Sequence, residues 1–124
     1  MPRLEDVLAD LAAQPHVRAA ALAGFDGLLV DEAFLLAEAG RTPALDGAVV
    51  ELTHAWNGVR RACGDYLDGG GARELIVVAD GGLLLMHVVA NDWFALLWAD
   101  GEVDVERGRA ALGAAAAQLA EVVA

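Results

Sequence analysis

The chain predicts an α/β (α+β) fold, a three-layer α-β-α sandwich in the order α-β-β-α-β-β-β-α around a five-stranded antiparallel sheet. Three observations predict it. Four acidic turns, Asp26-Gly27, Asp80-Gly81, Asn91-Asp92 and Asp100-Gly101, each follow a largely apolar run. One apolar stripe of period 3.5 runs from Leu45 to Tyr66. Finally, the strands of the last third are apolar on both faces. Asp-Gly supplies the positive φ angles of tight turns, because Gly has no Cβ and Asp tolerates the left-handed region. The turns fix a hairpin, then a long helix, then a three-stranded meander.

Residues 4–13 place Leu4, Val7, Leu8 and Leu11 on one helical face, with Glu5 and Asp6 in the first turn where the helix dipole favours acids. Pro15 stops this helix, because a residue before proline is pushed out of helical geometry. Residues 17–23 and 28–30 are two strands around Asp26-Gly27. The first is alanine-rich, which suits a central strand pressed closely by helices, and Asp31 and Glu32 close the second. Residues 33–44 admit two readings: Phe34, Leu35 and Leu36 begin a helical turn, or Gly40 and Pro43 mark a loop.

Residues 44–67 carry Leu45, Val49, Leu52, Trp56, Val59, Cys63 and Tyr66 at alternating spacings of four and three, a buried seam over three heptads. Off this seam lie Gly47, Ala48, Ala55, Gly58 and Ala62. Gly58 costs about 1 kcal/mol relative to Ala in a helix interior. Either it drifted on a tolerant surface, or a second backbone approaches closely there. Asp68-Gly69-Gly70-Gly71 ends the helix, with glycine supplying a left-handed cap. Residues 74–79, 83–90 and 93–99 form the meander. A sheet with one wet face alternates apolar and polar residues; these strands barely do, so helices must cover both faces. The final helix, residues 105–123, has Asp104 as its cap and Arg107 placed to reach back to it.

At 124 residues the chain is one domain, residues 1–124. Its hydrophobic fraction of 57% is high, yet no run reaches the ~20 apolar residues of a membrane span. The first residues are acidic and lack the apolar core of a signal peptide, so a soluble, cytoplasmic protein is expected. Net charge is −11, with eight Arg and no Lys, which repels nucleic acid and anionic membranes. It serves solubility or a basic partner. Abundant Ala, Gly, Arg, Val and Leu without Lys or Ser fits a GC-rich bacterial genome.

Catalytic chemistry has little support. With no Ser a Ser-His-Asp triad is impossible, and His16, His54 and His87 fall on a loop, a helix and a strand. His87 is expected as a half-buried, hydrogen-bonded histidine, and Cys63 on the seam is a poor nucleophile. No Cys/His pair has metal-ligand spacing, and Gly69-Gly70-Gly71 lacks the Lys and Ser/Thr of a phosphate loop. The expectation is no enzyme, no catalytic residue, no metal and no cofactor. Association is better supported. Strand 75–79 falls at a sheet edge without proline or inward charge, and so invites a two-fold related copy to pair with it. The expected dimer interface is Ala55, Gly58 and Ala62 on the helix with Leu75, Ile76, Val77 and Val78 on the edge. Trp56, Trp93 and Trp98 read as core.

The segment from Val17 to Val30, with its Gly24-Phe25-Asp26-Gly27 turn, resembles the opening hairpin of the roadblock / dynein light chain family. Residues 73–99 followed by Gly108-Arg109-Ala110-Ala111-Leu112 resemble that family's meander and closing helix. Element order agrees over nearly the whole chain, while residues 33–43 and the Trp content of the last strand depart from the pattern. The resemblance implies a profilin-like sandwich and a homodimer joined through the long helix and the edge strand. It also implies a regulator or adaptor of a bacterial Ras-like small GTPase, whose GTP hydrolysis it can stimulate without an arginine finger. By position His54, Asn57, Arg60 and Arg61 are where such a partner would touch; a solvated polar helix face is the alternative at each. Two other functions fit the same sandwich. One is a small-molecule sensor with a pocket at the Trp-rich last strand; the other is a structural scaffold without a GTPase.

Overall fold

A computed structural model describes residues 3–34 and 44–123. The elements are α1 (Leu4–Ala12), β1 (Val17–Gly24), β2 (Leu29–Phe34), α2 (Leu45–Arg61), β3 (Glu74–Ala79), β4 (Gly82–Val89), β5 (Trp93–Ala99) and α3 (Val105–Val123). The five strands form one antiparallel sheet in the order β2-β1-β5-β4-β3. The predicted three-layer sandwich is therefore the observed one.

Side chains alternate across the sheet and build two cores. Ala20, Leu22, Leu85, Val89, Ala95 and Leu97 face α1 and α3, whose Leu8, Leu11, Leu112 and Leu119 complete that layer. Ala19, Ala21, Ala23, Leu84, Met86, Phe94 and Leu96 face Leu45, Val49 and Trp56 of α2. The alanines of β1 are fully buried from both sides. Their small size lets helices pack closely over the central strands, which offsets their poor strand propensity. Gly108 does the same for α3: a Cβ there would lie 2.9 Å from Leu85 Cδ1.

Several local expectations change. β2 does not close at Asp31 and Glu32 but continues through both to Phe34. As an edge strand it tolerates polar residues, and its ladder with β1 is bulged at Val30, between the pairs Leu22–Asp31 and Ala23–Leu29. Phe34 is thus strand, while Leu35, Leu36, Gly40 and Pro43 lie outside the described residues. Of the four acidic turns only Asp26-Gly27 holds a left-handed glycine, Gly27 at φ 89°. Among the described non-glycine residues the left-handed positions are His16, Asp68 and Ala90.

The seam of α2 also falls short of three heptads. Leu45, Val49 and Trp56 are buried, Leu52, Val59 and Cys63 half-buried, and Tyr66 is 85% exposed. Residues Ala62–Tyr66 form a turn of π-helix, with Leu67 N–H donating to Ala62 O at 3.1 Å. Its wider turn breaks the 3.5 period and carries Tyr66 off the sheet. Asp68 at φ 53°, and not a glycine, makes the first left-handed step out. Asp104 caps α3 as expected, through Oδ1 to the backbone N–H groups of Glu106 (3.0 Å) and Arg107 (3.3 Å). It is the Arg107 backbone that reaches the cap.

Candidate protein-interaction surface

Among the described residues strand β3 has a neighbour on one side only, β4, which leaves its other edge open. Helices were expected on both faces of every meander strand. They leave most of this one uncovered. Ile76, Val77 and Val78 are all exposed, Val78 by 80%, and Leu75 is half-buried against the α2-side core. Register places Leu75 and Val77 on the α2 face, beside Met86 and Leu84, and Ile76 and Val78 on the α3 face, beside Leu85 and Leu83. The opposite edge, β2, carries Asp31 and Glu32 on its two faces, the usual protection against strand pairing. No such charge guards the centre of β3. Its only acid, Glu74 at the start, is held by Arg109 of α3 at 2.9 Å. That hydrogen bond, with the guanidinium charge and the nearby His87, outweighs desolvation and keeps the Glu74 carboxyl below its ordinary value of 4.5.

Helix α2 presents two flanks that differ in chemistry. The flank over β4 and β5 carries Ala48 and Leu52, with Ala55 and Ala62 following on the same side at helical spacing. Together with Leu84, Leu96 and Trp98 its first turns line an apolar groove of about 380 Å³. Trp98, Leu84 and Val77 are register partners in a row across β5, β4 and β3, so the groove runs out to the open edge. Ala55 and Ala62 are exposed, and a Cβ on Gly58 would meet nothing within 4 Å. The glycine is not required by packing within one chain.

The other flank faces the β1–β2 turn. His54 is exposed and Asn57 half-buried; both line a hollow of about 600 Å³ shared with Phe25, Leu28 and Val50. Arg61 is exposed, whereas Arg60 is drawn inward, its guanidinium 4.2 Å from the centroid of Phe25. Phe25 belongs to a cluster with Trp56 and Phe94, at centroid separations of 5.1, 5.1 and 5.3 Å. The four residues expected to meet a partner thus share one flank, and the helical residues expected to meet a second copy lie on or beside the other. The grip of Phe25 on Arg60 was not legible, because 35 residues separate them and only the fold brings them together. Trp93 and Trp98 are half-buried, and only Trp56 is wholly core.

The remaining candidates are structural. His87 is half-buried, with Nδ1 donating to the Val88 carbonyl at 2.8 Å. His16 Nδ1 lies 3.2 Å from Asp100, tying the α1–β1 loop to the loop before α3. The Glu102 backbone N–H, aided by His16 and Arg18, lowers the Asp100 pKa against the opposing effect of desolvation. Among the described residues no group of His, Cys, Asp and Glu is placed to hold a metal ion, and no helix is long and apolar enough to cross a membrane.

No family model and no curated protein matches the sequence. Solved structures do match. A Roadblock/LC7 domain from Streptomyces avermitilis superposes with a TM-score of 0.85 at 20% identity, covering 98% of each chain. The gliding protein MglB from Thermus thermophilus gives 0.85 at 17% identity, over 95% of this chain and 86% of that one. MglC from Myxococcus xanthus gives 0.66 at 26% identity, over 94% and 96%. At these TM-scores over nearly the whole of each chain, the chain has the roadblock fold.

Proposed function

We propose that the chain is a non-catalytic, homodimeric regulator or adaptor that binds a Ras-like small GTPase in a bacterial cytoplasm. The observation that carries this reading is the open, uncharged edge of β3 on a roadblock fold. Pairing β3 with its two-fold mate continues the sheet across a dimer. The row Val77–Leu84–Trp98 then brings the two apolar grooves toward the symmetry axis, where the α2 flanks can close over them. Leu75, Ile76, Val77 and Val78 supply the strand, and Ala55, Gly58 and Ala62 the small-residue helix face. The likeness to MglB supports the regulator class, and the roadblock resemblance supplies the GTPase as partner. His54, Asn57, Arg60 and Arg61 are the proposed contact.

The test is a pull-down of small GTPases, loaded with GTP or GDP, from the source cell, followed by GTP turnover with and without the protein. A nucleotide-sensitive complex weakened by Arg61→Ala supports the reading; no GTPase retained in either state overturns it. The groove beside Trp98 favours a second reading, an apolar-ligand sensor. Native mass spectrometry of freshly purified protein separates the two: a retained small molecule supports the sensor, and a clean protein mass counts against it.

A further inference from the structure

We infer that the hollow between the β1–β2 turn and α2 is a docking site for a basic segment of a partner protein in which Lys or Arg alternate with aliphatic residues. The inference rests on the reading of this chain as a partner-binding module and adds the chemistry of what it binds. Its floor holds two aliphatic side chains that water should not favour, Leu28 at 67% and Val50 at 55% exposure. Its rim carries the carboxylates of Asp26 and Glu51. Asp46 stands one helical turn before Val50 on the same side of α2, and Glu32 lies on the α2 face of β2. An aliphatic floor with an acidic rim matches side chains that have an apolar stem and a cationic head.

A separate observation points to an occupant. Thr53 lines the same hollow, is only 5% exposed, and its hydroxyl has no hydrogen-bond partner among the described residues. Buried hydroxyls are normally paired, and an N–H or carbonyl from a docked segment would pair this one. Phe25, at the far end, already holds one guanidinium against its ring, that of Arg60. A second copy of this chain fits poorly, since it brings a net charge of −11 and no Lys to an acidic rim. Nucleic acid and anionic lipid are repelled on the same ground.

The experiment follows backbone amide shifts of the isotope-labelled full chain during titration with two peptides of equal charge, one alternating Lys and Leu and the other Lys and Gly. The Lys-Leu peptide should move Leu28, Val50, Thr53, His54 and Asn57 first and bind about tenfold tighter than the Lys-Gly peptide, the advantage of burying one or two aliphatic side chains. Val50→Ser, at an exposed helix position, should remove most of that advantage, while Leu67→Ser, at the exposed residue just past the π turn, should leave it intact. Equal binding of both peptides, shifts spread over every acidic surface, or shifts centred on β3 would overturn the inference. GTPase capture and dimer mass are measured without the peptides, so this site can fail while the regulator reading stands.

Discussion

A methyl group added to Gly82 would lie 2.5 Å from the Trp98 ring and 2.7 Å from the Ala99 carbonyl oxygen. The oxygen belongs to the neighbouring strand and cannot retreat, so Gly82→Ala should destabilise the fold by about 1–3 kcal/mol. Urea unfolding measures it; an unchanged midpoint would mean that the indole does not lie over Gly82. Ala90 is the converse case. It sits at φ 52°, where a Cβ is strained, so Ala90→Gly should raise stability by about 0.5–1 kcal/mol in the same assay. Neither site was legible in the sequence. The turn chemistry pointed to Asp80-Gly81 and Asn91-Asp92, but strand register decides which residue must turn left-handed. The Glu74–Arg109 pair gives a pH dependence. A carboxyl whose pKa is depressed in the folded state stabilises it above the unfolded value and loses that contribution as pH falls through the folded one. Acid unfolding of the wild type should therefore steepen below about pH 4.5, and Arg109→Gln should flatten that limb. The pair is partly exposed and screened by solvent, so the difference at neutral pH should be small.

Helix α2 shows what periodicity can and cannot specify. Its existence, its position and the burial of Leu45, Val49 and Trp56 follow from the apolar stripe. Where the stripe stops being buried does not, because that depends on which strand lies beneath and on the π turn at Ala62–Tyr66. The sequence predicts too short a strand β2 for a related reason: acids look like loop residues until the strand is known to be an edge. Gly58 is the informative position on α2. Its absent Cβ leaves open space within the chain, so Gly58→Ala should add up to about 1 kcal/mol to the stability of an isolated subunit. If the helices of two copies meet there, the same substitution should weaken self-association, read as a concentration-dependent shift in sedimentation. Gains in both stability and dimer affinity would remove Gly58 from the interface.

For the whole molecule, the order of turns, helix and meander was enough to reach the sandwich and the identity of its exposed edge. What the sequence hid was the contrast between the two sheet edges and between the two flanks of α2. Strand β3 is apolar and uncovered; β2 is acidic and guarded. One flank of α2 opens a groove toward β3, and the other opens an acidic-rimmed hollow toward the hairpin. In the proposed reading, self-association takes one end of the sheet and partner binding the other. Charge placed at the centre of the edge should break the first and spare the second: Val77→Lys should yield a folded monomer, since Val77 is already exposed and lysine is a common edge guard. Light scattering at micromolar concentration tests the account most directly. The wild type should have twice the mass of one chain and Val77→Lys the mass of one; a wild-type monomer would contradict it.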